Sequence, residues 1–225
     1  PAARNGALAR QNSGHRGDSY VDLLIGTWNA GKLAEFRAAL KGLPARLVPL
    51  TSLGNTPRIE EDGATFEENA LKKARTLADF SGWLTLADDS GLEVEALNGA
   101  PGIYSARYSG EVGNDERNNE KLLAELLPIP AGRRGARFVC VLALCAPKSN
   151  GVGEWTVREQ CEGRIALTPK GTKGFGYDPL FFYPPLGKTF GELDRDAKSM
   201  VSHRGKALRK LVAFLPSLLD RTARA

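Results

Sequence analysis

The chain has 225 residues, 42% of them hydrophobic, and carries 31 basic against 26 acidic side chains for a net charge of +5. That length can bury a full core without staples, and no apolar run approaches the roughly 20 residues of a membrane span. The surplus charge sits at the ends: between Tyr20 and Asp220, 26 basic groups face 25 acidic ones, which argues against nucleic-acid binding by the folded body.

Pro1 to Ser19 is rich in Ala, Gly, Asn and Arg without sustained periodicity, and reads as a disordered extension to one domain at 20–225. Val21 to Thr27 is a short apolar strand, followed by Leu33, Phe36, Leu40 and Leu43 at helical spacing, with Gly42 and Pro44 as the stop. A polar stretch to Gly63 precedes Thr65-Phe66-Glu67-Glu68, a capping-box pattern that opens a helix burying Phe66, Ala70, Ala74, Leu77 and Ala78. Gly82 ends it. The hydrophobic run Trp83 to Ala87 is a strand that stops at Asp88-Asp89-Ser90-Gly91, and Leu92, Val94 and Ala96 alternate as a second strand up to the turn Asn98 to Gly102.

A helix around Glu116 to Leu127 follows, then two β-rich runs, Ala136 to Ala146 and Glu154 to Ala166, separated by a hairpin turn at Lys148 to Gly151. A short strand at Leu180 to Tyr183 and a helix through Leu208, Leu211, Val212 and Leu215 complete a mixed α/β order. Cys140, Cys145 and Cys161 lie in hydrophobic runs without C-x-x-C spacing and read as reduced core thiols of a cytoplasmic protein.

Adjacent carboxylates repel each other and are costly to desolvate, so Asp88-Asp89 at the end of a buried strand suggests a cation or a shared proton. An Asx-type turn is the plainer alternative. Upstream, Gly26-Thr27-Trp28-Asn29-Ala30-Gly31-Lys32 nearly satisfies the phosphate-cradling G-x-x-x-x-G-K pattern, but Leu33 replaces the hydroxyl that would ligate magnesium. Glu60-Glu61-Asp62-Gly63 could join Asp88-Asp89 around one magnesium ion, which favours hard oxygen ligands; a solvated acidic loop is the alternative. Only His15 and His203 are present, so no softer metal has a site. Gly174-Phe175-Gly176-Tyr177-Asp178-Pro179 sets aromatics between glycines, suited to stacking on a heterocycle. Lys198, Ser202, His203 and Arg204 then offer donors to phosphate or to carbonyl oxygens on a base, although a helix-cap role would also account for His203.

These blocks, together with Gly99-Ala100-Pro101-Gly102-Ile103-Tyr104-Ser105-Ala106-Arg107-Tyr108, occur in the order seen in one family. From Leu23 to Leu215 the chain closely resembles the inosine triphosphate pyrophosphatases, or XTP/dITP diphosphatases, of the bacterial branch. The resemblance implies a two-lobed α/β fold with its active-site groove between the lobes, and a homodimer. It implies magnesium-dependent hydrolysis of ITP, dITP and XTP to monophosphate and pyrophosphate, which would clear deaminated purines from the nucleotide pool. Thr27, Trp28, Asn29, Ala30, Gly31 and Lys32 would then cradle the triphosphate. Glu60 and Asp89 would hold magnesium with Asp88 in support, and Asp89 would orient or deprotonate water. Ser90 would touch phosphate or sugar, and Phe175 would stack on the purine. Gly176, Tyr177, Asp178, Lys198, His203 and Arg204 would complete the contacts, with Glu35, Glu68 and Lys73 as supporting charges. A P-loop-like phosphotransferase is weakened by Leu33, and a non-catalytic nucleotide- or RNA-binding module by the intact Asp88-Asp89 pair.

Overall fold

The structure is a computed structural model that describes residues 20–111, 113–148 and 153–224; the amino-terminal extension and the hairpin tip at 149–151 lie outside the described residues. Its centre is one seven-stranded sheet in the order β2-β1-β3-β4-β5-β6-β7. The strands are β1 (Val21–Gly26), β2 (Ala45–Pro49), β3 (Leu84–Val94), β4 (Gly135–Cys145), β5 (Glu154–Ile165), β6 (Phe181–Tyr183) and β7 (Lys188–Thr189). β1 runs parallel to β2 and β3, and every later pairing is antiparallel. Helices α1 (Ala30–Ala39), α2 (Phe66–Ser81), α3 (Asp115–Glu125), α4 (Arg195–Val201) and α5 (His203–Arg224) flank it. None of the described helices is long and apolar enough to cross a membrane.

The expected elements recur, with three additions. β2 lies inside the stretch read as polar, because a five-residue edge strand with half-exposed side chains leaves only Leu47-Val48 as an apolar signal. α4 and β7, seven and two residues long, are too short for periodicity to reveal. The three cysteines are buried and unpaired, as their hydrophobic setting implied.

The main correction concerns the acidic pair. Asp88-Asp89 does not end a strand: β3 continues through it to Val94, and the expected strand at 92–96 is the second half of the same element. β4 backs β3 along its whole length, from Thr85 opposite Cys145 to Val94 opposite Ala136, so the ladder carries the polar residues through. β1, by contrast, pairs with β3 only as far as Gly26 opposite Ala87. From Asp88 onward that edge of β3 opens at the carboxyl ends of the parallel strands, where ligands of α/β sheets bind.

Strand alternation then divides the side chains. Leu84 and Leu86 pack with Phe36 of α1 and Leu208 and Leu211 of α5, while Leu92 and Val94 join Leu122, Phe138, Phe181 and Phe190 in a second cluster. Asp88 and Ser90 share that face and separate the two clusters. Ala87 points the other way, into Phe66, Ala70 and Ala74 of α2, and Asp89 shares its side. A Cβ on Gly91 would sit 2.4 Å from the Gly102 carbonyl oxygen and 2.6 Å from Ser105 Oγ, so only glycine lets the turn at 102–107 lie against β3. Gly91→Ala is expected to destabilise the fold by roughly 2 kcal/mol or more in urea unfolding. An unchanged midpoint would mean that the turn retreats at no cost.

Candidate active site

Where β1 leaves the sheet, Asn29 caps α1, its Oδ1 accepting from Lys32 N at 2.9 Å, and Thr27 Oγ1 accepts from Asn29 N at 3.2 Å. The first-turn amides of such a helix lack intrahelical acceptors and carry the positive end of its dipole, a ready anion site. Trp28 projects into solvent, 61% exposed, so only its backbone belongs to the turn. Gly31 is required by close approach: a Cβ there would meet Phe175 Cδ1 at 2.5 Å. The aromatic ring of the distant glycine-rich loop thus closes directly over the start of α1.

Lys32 Nζ lies 2.9 Å from Asp88 Oδ2, which also accepts from Ser90 Oγ at 2.8 Å and faces Arg204 Nη2 at 3.3 Å. Burial alone would raise the Asp88 pKa, but Lys32, Arg204 and Lys73 outweigh it and hold the carboxylate well below its ordinary range. Asp89 is shifted the other way. Burial and the nearby Glu61 raise it against the pull of Lys73, 3.8 Å away, and Lys32. Two neighbouring carboxylates therefore differ in character: Asp88 is held as an anion, and Asp89 is biased toward its protonated form. Asp88 Oδ1 and Asp89 Oδ2 are buried without hydrogen-bond partners among the described residues.

Behind Asp88, Glu35 joins two cations: Arg204 Nη1 at 2.6 Å and Lys198 Nζ at 3.2 Å. Burial would raise the Glu35 pKa, yet Arg204 and Lys198 keep it below its usual value. Lys198 also contacts Asp178 Oδ2 at 2.5 Å, and Asp178 accepts from Phe175 N at 2.9 Å. The chain can deliver these residues because α4 and α5 touch at backbone distance. A Cβ on Gly205 would fall 1.8 Å from Ser199 O, and Ser202 Oγ caps α5 through Gly205 N at 3.1 Å. Sequence spacing alone gave no sign of the Gly205 requirement.

His203, first in α5, stacks on Phe138 with ring centroids 4.6 Å apart and lines the cavity with Phe175, Tyr177 and Arg204. Burial and the Arg204 and Lys198 charges push its pKa well below 6.5, and its Nδ1 is without a hydrogen-bond partner among the described residues. Because the folded value lies below the unfolded one, the unfolded chain takes up the proton first as pH falls. The stability that neutral His203 confers is complete above about pH 6.5 and is lost as pH falls toward the folded value. Thermal melts between about pH 7.5 and pH 5 should fall more steeply for the wild type than for His203→Gln. Equal slopes would place the loss elsewhere.

The remaining expected residues divide. Lys73 is half-buried on α2, bonds Glu61 Oε1 at 2.9 Å and stays protonated because Asp89 and Glu61 outweigh the desolvation it suffers. Glu61, rather than the exposed Glu60, is the residue fastened here, with its backbone carbonyl accepting from Arg107 Nη2 at 2.8 Å. Glu68 serves α2 instead, accepting from Ala64 N at 2.7 Å at the helix start. Tyr177 is buried and donates its hydroxyl to Ser105 O at 2.8 Å. Among the described residues no three His, Cys, Asp or Glu side chains cluster as a complete metal cage. The free carboxylate oxygens suit a hard cation completed by phosphate and water, the usual habit of magnesium.

A helix terminus suited to anions, a carboxylate pair at the open edge of β3 and an aromatic wall are the features of an α/β enzyme site fit for phosphate chemistry. Residues 23–214 match the Ham1 family, and the chain belongs to it. A dITP/XTP pyrophosphatase of Geobacter sulfurreducens is 53% identical over 189 residues, covering 84% of this chain and 94% of its own. Among solved structures, a HAM1 protein from Coxiella burnetii aligns with a TM-score of 0.79 at 40% identity, over 88% of this chain and 99% of that one. The Staphylococcus aureus Ham1 protein aligns at 0.77 and 40% identity, over 87% and 98%.

Proposed function

We propose that this hydrolase cleaves non-canonical purine nucleoside triphosphates, dITP, XTP and ITP, at the α–β phosphate linkage to give the monophosphate and pyrophosphate. The observation that carries the reading is the division of Asp88 from Asp89. One carboxylate fixes Lys32 and Arg204 beside the phosphate-binding helix, and the other, on the opposite side of β3 beside Lys73 and with its pKa raised by burial, is the one offered to a water molecule. Relatives at about half identity are named for dITP and XTP.

In this mechanism the α1 amides and Lys32 neutralise and orient the triphosphate, and Phe175 stacks on the base. Asp89 takes a proton from water as the water oxygen attacks phosphorus and the α–β bridging bond breaks, with pyrophosphate leaving. Asp89 and Glu60 would hold magnesium, with Asp88 in support and Glu61 and Lys73 steadying Asp89. Magnesium would supply charge neutralisation at the phosphates and help orient the attacking water. His203, neutral and with Nδ1 free, is placed to read the base, where a 6-oxo group distinguishes hypoxanthine and xanthine from adenine. The protein would act as a cytoplasmic homodimer that keeps deaminated purines out of nucleic acid. Incubation with dITP, XTP or ATP, with and without magnesium, tests the reading: pyrophosphate from dITP and XTP supports it, whereas orthophosphate, a phosphorylated acceptor or no product sinks it.

A further inference from the structure

The loop that carries Phe175 should be hard to hold still. Gly174 and Gly176 adopt φ of +80° and +61°, and glycine moves between positive and negative φ more freely than any other residue. Yet each residue from Phe175 to Tyr177 is tied. Phe175 N donates to Asp178 Oδ2 at 2.9 Å, and the Tyr177 hydroxyl donates to Ser105 O at 2.8 Å. Between them, Gly176 N donates to Asp115 Oδ2 at 2.6 Å and Gly176 O accepts from Asn119 Nδ2 at 3.0 Å. Asp115 and Asn119 are four apart on α3, one above the other on a single helix face. One helix turn thus grips both polar groups of a single glycine.

We infer that Asp115 and Asn119 of α3 are positioning residues that hold Phe175 in its base-stacking place and thereby set affinity for the purine but not for the phosphates. The inference rests on the reading of the groove given under Proposed function. Among the described residues no hydrogen bond or ion pair joins either residue to Lys32, Asp88 or Asp89; Asp115 reaches the cavity wall where it accepts from Gly176 N, the immediate neighbour of the ring that closes over α1. Asp115 is exposed at the cavity rim and Asn119 half-buried one turn later. Two hydrogen bonds to one peptide, one of them to a charged acceptor, select among backbone states of a glycine loop. Releasing them lowers the fraction of molecules with Phe175 in place, and apparent affinity for a base-bearing ligand falls by that fraction.

The test compares ligands with and without a base on the full chain: kcat and KM for dITP, Kd for inosine monophosphate, and Kd for inorganic tripolyphosphate. The variants are Asp115→Ala, Asn119→Ala, their double, and Asp115→Asn, which keeps an acceptor for Gly176 N. For the double variant we expect KM for dITP and Kd for inosine monophosphate to rise about tenfold or more. Its kcat should stay within about twofold and its tripolyphosphate affinity should be unchanged, with Asp115→Asn recovering most of the loss that Asp115→Ala shows. Unchanged monophosphate affinity in the double variant overturns the inference. So does a tripolyphosphate Kd that rises in step, since α3 would then act on the whole groove. A wild type that binds inosine monophosphate but does not hydrolyse dITP breaks the proposed activity while leaving the clip testable by Kd. A wild type that does not bind inosine monophosphate overturns the inference, while pyrophosphate release from dITP decides the proposed activity separately.

Discussion

Asp89→Asn is expected to lower kcat for dITP by about a thousandfold while leaving the melting temperature unchanged or slightly higher. The size follows from removing a proton acceptor, a role that supplies roughly two to four orders of magnitude, together with a charge that favours a bound cation. The stability side follows from the direction of its pKa. Burial and Glu61 disfavour the charged form of Asp89, so a neutral isostere relieves a cost instead of adding one. Asp88→Asn should behave in the opposite sense. Its carboxylate is held well below the ordinary range by Lys32 and Arg204, so the stability it confers is present above the unfolded value near 3.8 and is lost as pH falls through the folded value. Neutralising Asp88 at pH 7 should therefore lower the melting temperature, because Lys32 loses its carboxylate and buried Arg204 keeps only Glu35. Near-normal turnover in folded Asp89→Asn would remove it from catalysis, and equal melting temperatures for the two variants would undo the division of roles.

The contrast between these two residues was only partly legible in the sequence. Two adjacent aspartates after an apolar run announce a polar site, but which faces which partner depends on strand alternation through a segment that looked like a stop. Long-range pairing with β4 keeps that segment extended, and no local signal encodes it. The glycine-rich turn before Lys32 and the capping box before α2 were readable because capping is local. Glu35 could be suspected only from the family pattern; its bridge between Lys198 and Arg204 spans about 160 residues of chain, beyond the reach of spacing. Glu61 stood in view only as one of three neighbouring acids, and its pairing with Lys73 of α2 depends on the fold; Ser105, Asp115 and Asn119 escaped because they act through backbone groups of distant segments, which residue type does not disclose.

Arg204→Ala is expected to depress kcat/KM for dITP and dATP by the same large factor, leaving the ratio between them intact. The sequence alone admits the opposite outcome, a loss of base selectivity, because an arginine beside His203 can donate to a 6-oxo group. In the structure the guanidinium is already committed: Nη1 meets Glu35 at 2.6 Å, while Nε and Nη2 meet Asp88 Oδ2 at 3.4 and 3.3 Å. Its removal leaves buried Asp88 and half-buried Glu35 without their shared cation, a change that for a fully buried pair costs about 3–5 kcal/mol. Every triphosphate feels that loss equally, since the phosphate-binding Lys32 shares Asp88 with Arg204. Base selectivity should instead respond to His203→Ala, because His203 Nδ1 is the free buried nitrogen on the cavity wall and an adenine amino group opposite a donor strands polar groups at roughly 1–3 kcal/mol each. Arg204→Lys, which keeps the charge but not the fork, guards against simple unfolding of the alanine variant. A dITP to dATP ratio that collapses in Arg204→Lys and holds in His203→Ala would reverse the assignment and make the guanidinium the reader of the base.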